Sequence, residues 1–284
     1  MSRIEKALEK ATRLRHGGRP EAEPYVPSRP SAPGGEGGPA VALEHASPYI
    51  VALNEPSSPI SEEYRKLKTM VVKLTKQRGF QNTLMVTSAV GGEGKSITAV
   101  NLAVSISNEY DHTVLLVDAD IRHPSLHRYL GLEARAGLSD CLAGSVDLGD
   151  AIVRTGVGKL SLLPAGRAVE NPAELLSSRK MRDLMAEVKH RYSDRYIIVD
   201  TPPALAFAET HAISSLVDGV VFVVREGSAT LDNINDALSV LRDGNVLGIV
   251  YNDLTAESLN GHGHYYYYSY GANYGKKRGD GEGA

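Results

Sequence analysis

The stretch that decides the fold is residues 83–103, TLMVTSAVGGEGKSITAVNLA. An apolar run at 83–88 is typical of a strand, a glycine-rich loop follows, and a helical pattern begins at Lys95. The loop from Ala89 to Ser96 matches GxxxxGK[ST], except that Ala89 replaces the first glycine. Glycines let backbone N–H groups point at phosphate oxygens, and a helix N-terminus adds the positive end of its dipole. The stretch therefore predicts a phosphate-binding loop between a strand and a helix.

The residue types in the loop indicate separate roles. Lys95 is predicted to reach the β- and γ-phosphates of a nucleotide, and the Ser96 hydroxyl is predicted to bind Mg²⁺. The other positions expected to surround the nucleotide are Ala89, Val90, Gly91, Gly92, Glu93, Gly94 and Ile97. The alternative is a glycine-rich turn that contains Lys-Ser by chance.

Apolar runs and helical patterns alternate along the rest of the chain. The candidate strands are residues 83–88, 113–118, 160–165, 196–200, 219–224 and 246–252. Their Val, Ile and Leu content without polar alternation is typical of parallel strands that are covered on both faces. The alternation predicts an α/β fold of the P-loop NTPase type, with a mostly parallel, doubly wound sheet. We expect this domain to span residues 48–254.

Acidic residues follow two of these strands. Asp118 and Asp120 end one strand and are followed by Arg122, and Asp200 ends another. Ligands bind at the carboxyl ends of strands in doubly wound sheets, so these side chains are expected to meet the phosphate loop. An aspartate after a strand is also a common turn former or helix cap, which is the structural alternative.

The composition excludes several classes of protein. The net charge of −3 favours neither a nucleic-acid nor a membrane partner, and Cys141 is the single cysteine of 284 residues. One cysteine cannot form an internal disulfide, which suits a reducing compartment. The apolar run GVVFVV is far shorter than the roughly 18 residues that span a bilayer. We therefore expect a cytoplasmic protein whose membrane contact is peripheral or through a partner.

The two ends differ in composition from the centre. Residues 1–15 have the spacing of a basic amphipathic helix, suited to an anionic membrane, to a partner, or simply to solubility. Residues 16–47 are rich in Gly, Pro, Glu and Ala, which predicts a disordered linker. Residues 255–284 form a predicted flexible tail that holds six of the 14 tyrosines, namely Tyr265, Tyr266, Tyr267, Tyr268, Tyr270 and Tyr274.

A long helix is predicted from about residue 57. Its apolar stripe would comprise Ile60, Tyr64, Leu67, Val71 and Leu74, and Ser61 is a plausible N-cap.

The motifs AVGGEGKS (89–96), LLVDADIR (115–122) and IIVDTPP (197–203) together resemble the Walker A, A′ and B motifs of the bacterial tyrosine autokinases. EEYRKLK (62–68) is similar to the ExxRxxR oligomerisation element of that family, and the tyrosine-rich tail also matches. The resemblance covers about residues 57–275. The opening MSRIEKALEKA is similar to the subgroup found beside exosortase and exopolysaccharide genes.

This resemblance implies an ATP- and Mg²⁺-dependent tyrosine autokinase. It implies that Lys95, Asp118, Asp120, Arg122 and Asp200 are catalytic, and that Mg²⁺ is bound by Ser96, Asp118 and Asp200. It implies that Asn252 contacts the adenine of ATP. The alternative is that Asn252 simply belongs to a turn at the end of the last strand.

The resemblance also implies partners. Glu62, Arg65 and Lys68 would dock on the next subunit of a ring, unless they form a solvated helix face. The six tail tyrosines would be autophosphorylation sites, in place of a merely low-complexity end. Family members act in exopolysaccharide polymerisation and export, with a separate membrane-embedded chain-length determinant as activator and a tyrosine phosphatase as antagonist. No nucleic-acid partner is implied.

The sequence departs from related patterns at two positions. Partition-type ATPases carry a signature Lys where this chain has Val90, which disfavours the alternative of a partition- or septum-site-like ATPase switch without kinase activity. A nucleotide-binding regulatory scaffold with little turnover is also disfavoured. Such a protein would be expected to have lost Lys95 or an acidic residue of the site, and this chain has both. Lys68 stands where the family element has Arg, and Lys lacks the bidentate fork of a guanidinium.

Overall fold

One seven-stranded sheet organises the molecule. A computed structural model describes residues 46–77, 79–191 and 194–254. The strands are β1 (Thr83–Ser88), β2 (Thr113–Asp118), β3 (Val153–Arg154), β4 (Leu160–Leu163), β5 (Arg195–Asp200), β6 (Gly219–Arg225) and β7 (Val246–Asn252). Their order in the sheet is β3-β4-β2-β5-β1-β6-β7, and all neighbours are parallel except β3 and β4.

Helices precede β1 and connect the successive strands, except β3 and β4. Within the described residues they are α1 (Val51–Asn54), α2 (Pro59–Lys76), α3 (Lys95–Ser107), α4 (Leu126–Tyr129), α5 (Leu138–Ala143), α6 (Leu148–Ala151), α7 (Pro172–Leu176), α8 (Arg179–Arg191), α9 (Ala208–Ser214) and α10 (Leu231–Val240). The predicted fold class, a mostly parallel P-loop sheet with helices on both faces, is confirmed.

The core lies on both faces of the sheet, which explains the continuous apolar character of the strands. In β1, Met85 belongs to one buried cluster, whereas Leu84 and Val86 belong to the other. All six residues of β1 are buried, so this strand lies at the centre of the molecule and fixes the start of the loop after Ser88.

The structure corrects three local predictions. The N-cap of α2 is Ser58, whose hydroxyl accepts the Ser61 N–H, while the Ser61 hydroxyl donates to the carbonyls of Val51 and Glu55. Pro59 directly after the cap explains this start, because proline is favoured at the first helical position. Ile60 is 51% exposed and so does not extend the buried stripe of α2.

The third correction concerns the sheet edge. Strand β3 was not predicted, because two residues paired with β4 leave no periodic pattern in the sequence. The run predicted at 160–165 ends as a strand at Leu163.

The predicted segments at the two ends are outside the described residues. This applies to the basic helix at 1–15, to nearly all of the linker at 16–47 and to the tail at 255–284. In the described ranges, none of the helices combines the length and apolar character needed to cross a membrane.

Candidate active site

The loop between β1 and α3 has the backbone that a phosphate-binding loop needs. Gly92 and Gly94 have φ angles of 82° and 88°, in the left-handed region that favours glycine. Helix α3 begins at Lys95, so its first N–H groups lie at the end of the loop. Ala89, the departure from the motif, is fully buried, and Val90 packs against the core cluster on one face of the sheet.

Glu93 braces the loop from inside. Its carboxylate is fully buried and accepts the Val90 N–H at 2.9 Å and the Arg225 N–H at 3.2 Å. The Asn252 amide donates to the Glu93 carbonyl at 3.0 Å. Glu93 was expected to surround the phosphates, but its side chain connects the loop to the ends of β6 and β7. Sequence carried no signal for this role, because the partners are 132 and 159 residues away.

We predict that Gly94→Ala disrupts this brace. A Cβ at Gly94 would lie 2.2 Å from Asn252 Nδ2, and its φ of 88° is strained for any L side chain. The variant should lose about 1–3 kcal/mol of stability and most of its nucleotide affinity. Thermal unfolding and nucleotide titration measure both quantities. Gly91→Ala is the matched control for stability, since a Cβ there meets nothing within 4 Å and φ is not positive; equal unfolding temperatures for both variants would contradict the prediction.

Four predicted catalytic side chains converge beside the loop. Strands β2 and β5 are neighbours, and their register places Asp118 opposite Asp200. Lys95 Nζ lies 3.0 Å from Asp120 Oδ2 and 3.4 Å from Ser96 Oγ. Asp118 Oδ2 accepts the N–H groups of Ser125 and Leu126, both at 3.1 Å, which holds this carboxylate in place.

Burial and mutual repulsion perturb the titration of this group. Burial raises the pKa of Asp118 to about 7, with the charge of Asp200 adding to the effect and the two backbone N–H groups opposing it. Burial likewise raises the pKa of Asp200 to about 6, although the charge of Lys95 and the nearby Ser96 hydroxyl oppose this shift. Burial alone would lower the pKa of Lys95, but the surrounding carboxylates outweigh it and raise that pKa above its usual value.

The residues present fit a magnesium ion shared with phosphate oxygens. Asp118 Oδ1 and both carboxylate oxygens of Asp200 are buried and have no hydrogen-bond partner among the described residues. Uncompensated buried carboxylates are costly, and coordination of a cation is one way to offset that cost. Within the described ranges, no three His, Cys, Asp or Glu side chains form a metal site by themselves. Mg²⁺ commonly uses one or two carboxylates together with substrate phosphates, which is what Asp118, Asp200 and the Ser96 hydroxyl offer.

Arg122, the fifth predicted catalytic residue, has its side-chain contacts with other residues. Its Nε donates to Glu209 Oε1 at 2.6 Å, and its guanidinium lies 4.6 Å from the centroid of the Phe207 ring. A cleft of about 420 Å³ opens here, lined by Ile121, Arg122, His123, Ala168, Val169, Pro172 and Phe207. Glu209, which is 1% exposed, was missed by sequence reasoning because it lies 87 positions from Arg122.

The predicted oligomerisation residues lie on α2 and have partners within their own chain. Arg65 bonds Glu62 and the Pro56 carbonyl. Lys68 pairs with Glu109 at 2.9 Å and is 18% exposed, so it is less accessible than the other two. The six tail tyrosines lie outside the described residues.

The fold and this site define a P-loop NTPase. A family model described as "ParA: NUBPL iron-transfer P-loop NTPase" matches residues 79–278. The iron transfer in that description is a property of the protein for which the model is named.

Proteins similar in sequence and in structure define more closely which kind of P-loop NTPase this chain is. The chain is 36% identical to the tyrosine-protein kinase YwqD of Bacillus subtilis over 72% of its own length and 85% of YwqD. It is 34% identical to the putative tyrosine-protein kinase EpsB of Ralstonia solanacearum over 81% of its own length, but spans 30% of EpsB. The kinase domain of Escherichia coli tyrosine kinase ETK superposes with a TM-score of 0.67 at 29% identity, over 75% of this chain and 84% of that one.

The chain therefore belongs to the ParA-type P-loop NTPases and, within them, to the bacterial tyrosine-protein kinases. The family expected from the three motifs is confirmed, as is a nucleotide-binding loop. The alternative of a partition-like ATPase is not favoured by these relatives. The roles of single residues and the exosortase-linked subgroup stay predictions.

Proposed function

We propose that this chain transfers the γ-phosphoryl group of ATP to tyrosines of its own 265–274 segment, carried by a neighbouring copy. The observation that carries this proposal is the convergence of Lys95, Asp118 and Asp200 on the glycine-rich loop, with three buried carboxylate oxygens left without partners among the described residues. Membership of the tyrosine-protein kinase family is the reason for proposing tyrosine as the residue that accepts the phosphoryl group.

Each group in the site has a proposed task. The backbone of residues 89–96 and the first turn of α3 bind the phosphates, and Lys95 neutralises charge on them. Ser96, Asp118 and Asp200 would hold Mg²⁺, directly or through water; when bound, this ion supplies positive charge to the transferring phosphoryl group. Asn252, fixed against the loop, is the proposed adenine contact.

The transfer requires loss of one proton from the acceptor. A tyrosine phenol has a pKa near 10, so a base must favour the phenolate. We assign this role to Asp118, as the resemblance to the bacterial tyrosine kinases implies, because its Oδ1 is buried at the end of β2 and has no hydrogen-bond partner among the described residues. The phenol oxygen then forms a bond to the γ-phosphorus, the bond from that phosphorus to the β-bridging oxygen breaks, and ADP leaves with that electron pair. Positioning and charge stabilisation provide most of the rate enhancement.

Transfer between copies is tested by separating enzyme and acceptor. One variant has all six tail tyrosines replaced by serine, and the other carries Lys95→Met and an intact tail. Intact mass spectrometry of the mixture with Mg·ATP should show phosphate increments on the Lys95→Met chain only when the serine variant is present. Phosphate on wild type alone, but none in the mixture, would mean transfer within one chain. No phosphate in either sample would reject the kinase proposal.

A ring oligomer is proposed from Glu62, Arg65 and Lys68 on α2. Arg65 is 45% exposed, so it is accessible to a neighbouring subunit. We predict that Arg65→Glu, which reverses this charge, shifts the oligomer towards monomers in size-exclusion chromatography with light scattering. Lys66→Glu is the control, since Lys66 is similarly exposed, at 40%, but lies outside the ExxRxxR positions. An Arg65→Glu protein with wild-type mass would contradict the docking role.

Regulation by charge follows from the proposed reaction. Each phosphotyrosine adds about −1.5 to −2 charges, so several in one tail should repel one another and open the ring. A tyrosine phosphatase is needed to reverse this state.

We further propose that the chain acts in exopolysaccharide polymerisation and export, at the inner face of the plasma membrane, with a separate membrane-embedded chain-length determinant as its activator.

The second candidate function is an ATPase switch without kinase activity, which the tests above would reveal. Its partner-donated lysine would stand at position 90, where Val90 packs against the core instead.

A further inference from the structure

We infer that residues 265–270 of the tail add a further strand to the sheet, antiparallel to β7 of their own chain. This docked arrangement is the resting state of the tail before phosphorylation. The docking follows from the sheet edge itself, whereas its release by phosphate rests on the proposed function.

Strand β7 lies at one edge of the sheet and has an unpaired side. It pairs with β6, and the strand order ends at β7 in the part of the chain that the structure describes. A strand with one neighbour leaves backbone N–H and C=O groups without strand partners, which makes it a template for another strand. The opposite edge is formed by β3, which has two residues, whereas β7 has seven. The longer free edge of the sheet is therefore that of β7.

Strand β7 also exposes large apolar side chains. Ile249 and Tyr251 are 55% and 51% exposed, although they pair with Phe222 and Val224, two buried residues of β6. These two partners belong to the core cluster that includes Ala237 of α10, so Ile249 and Tyr251 lie on the face of the sheet that α10 covers. A long, apolar and uncovered edge is an aggregation hazard that proteins usually cover. A strand added to β7 would cover both its free backbone groups and these side chains.

The tail contains a segment with the composition of a strand. Residues 265–270 read YYYYSY, and aromatic residues are enriched in strands, where they pack against aromatic and branched side chains of the neighbouring strand. Residues 253–264, which include Gly261 and Gly263, connect this segment to the end of β7. A chain that turns back beside the strand it has just left forms an antiparallel pair, while a parallel strand would need a crossover to the other end of the sheet. The connection therefore favours the antiparallel direction.

The charges around the edge fit this direction. Asp232 and Asp236 on α10 and Asp243 just before β7 are exposed and have no ion-pair partner among the described residues. An antiparallel strand at 265–270 brings the residues that follow it to the amino end of β7, where Asp243 lies. The basic run KKR at 276–278 belongs to that part of the tail. Opposite charges therefore meet at the end of the docked segment.

Phosphorylation would undo this arrangement. Successive side chains of a strand point to opposite faces, so alternate tyrosines of the docked segment would lie on the face covered by α10. Each phosphotyrosine adds about −1.5 to −2 charges, which Asp232 and Asp236 of α10 would repel. A phosphorylated tail should therefore leave the edge of β7.

Hydrogen exchange of the β7 amides tests the docking in the full chain. The Lys95→Met protein, used without nucleotide so that its tail carries no phosphate, is compared with two variants built on it. One has all six tail tyrosines replaced by serine, and the other has them replaced by phenylalanine, which keeps the rings and the strand preference. We expect the amides of Val246–Asn252 to exchange at least ~5-fold more slowly in the Lys95→Met and phenylalanine proteins than in the serine protein. Equal exchange in all three proteins would overturn the docking.

A charge reversal tests the direction of the added strand. Asp243→Lys, made in the Lys95→Met protein, should speed exchange of the β7 amides towards that of the serine protein. Asp150→Lys is the matched control, since Asp150 is also exposed and without an ion-pair partner among the described residues, but precedes β3 at the other edge of the sheet. Equal exchange in the two variants would overturn the antiparallel pairing. Protection that rises with protein concentration would overturn docking within one chain and assign the edge to the tail of a second copy.

Wild type incubated with Mg·ATP separates the docking from its release. Wild type with phosphate on the tail should exchange its β7 amides as fast as the serine protein. Slow exchange in phosphorylated wild type would overturn the release. No phosphate on wild type would reject the proposed function and the release with it, whereas the docking is decided by the Lys95→Met variants.

Discussion

Replacing Lys95 by methionine should lower the initial rate of tyrosine phosphorylation by on the order of 10²–10³-fold or more. Lys95 is the cation at the centre of the site: it bonds Asp120, and the charges of Asp200 and Asp118 also act on it. Its removal leaves the carboxylates uncompensated and takes a positive charge from the phosphates. Nucleotide affinity should fall as well, because phosphates would then approach three acidic side chains with less opposing charge.

A matched variant distinguishes this effect from a general loss of stability. Lys189 also pairs with a partly buried aspartate, Asp218, but this pair lies at the amino ends of β1 and β6, opposite the loop. Lys189→Met removes a comparable ion pair and should leave the transfer rate within about 2-fold of wild type. Radiolabelled phosphate incorporation under initial-rate conditions measures both variants. A Lys95→Met protein as active as Lys189→Met would contradict the assignment.

Asp118→Asn should abolish most transfer while it stabilises the fold. Loss of a general base typically costs about 10²–10⁴-fold in rate. The amide carbonyl oxygen of the substituted side chain can still accept the N–H groups of Ser125 and Leu126, so the local geometry and nucleotide binding should persist. Single-turnover transfer and nucleotide titration measure the two properties separately; unchanged transfer would contradict the base assignment.

The stability gain of this variant depends on pH. The pKa of Asp118 is raised from 3.8 to about 7, so ionisation is easier in the unfolded chain than in the folded one. The contribution of Asp118 to wild-type stability is therefore most favourable at and below about pH 4 and becomes less favourable as pH rises to 7, by up to about 4 kcal/mol. Asparagine removes this penalty. In EDTA, we expect a gain of about 1–4 kcal/mol at pH 8 that vanishes near pH 4.

The control for this comparison is a carboxylate whose charge stabilises the folded chain, whereas the buried charge of Asp118 destabilises it. Asp218 pairs with Lys189 and accepts the Thr83 N–H, so Asp218→Asn should lower stability at pH 8. Urea unfolding at both pH values gives the free energies. An Asp118→Asn protein less stable than wild type at pH 8 would show that the buried charge is compensated in the folded chain.

The elements with strong patterns were predictable from sequence. Strands β1, β2 and β7 have the predicted bounds, because apolar runs ended by polar residues leave few alternatives. The prediction that the strands are covered on both faces fails for β7, an edge strand in which Ile249 and Tyr251 are exposed. The loop and its acidic neighbours were also predictable, since parallel strands bring their carboxyl ends to one edge of the sheet.

What sequence reasoning missed depends on contacts between distant residues. The anchor between Arg122 and Glu209 and the brace from Glu93 to β6 are formed only once the sheet is assembled. Arg122 follows Asp120 by two positions and was grouped with it, yet the structure places its side chain against Phe207. A motif gives the position of a residue along the chain, while long-range packing decides which way its side chain points.

The central claim is tested most directly by intact mass spectrometry after incubation with Mg·ATP. Wild type, Lys95→Met and a variant with all six tail tyrosines changed to phenylalanine are compared. The account predicts phosphate-sized increments on wild type alone. Increments that persist in the phenylalanine variant would place the acceptor elsewhere in the chain. No increments on wild type, together with ATP hydrolysis that requires Lys95, would contradict the account and assign the site to an ATPase switch.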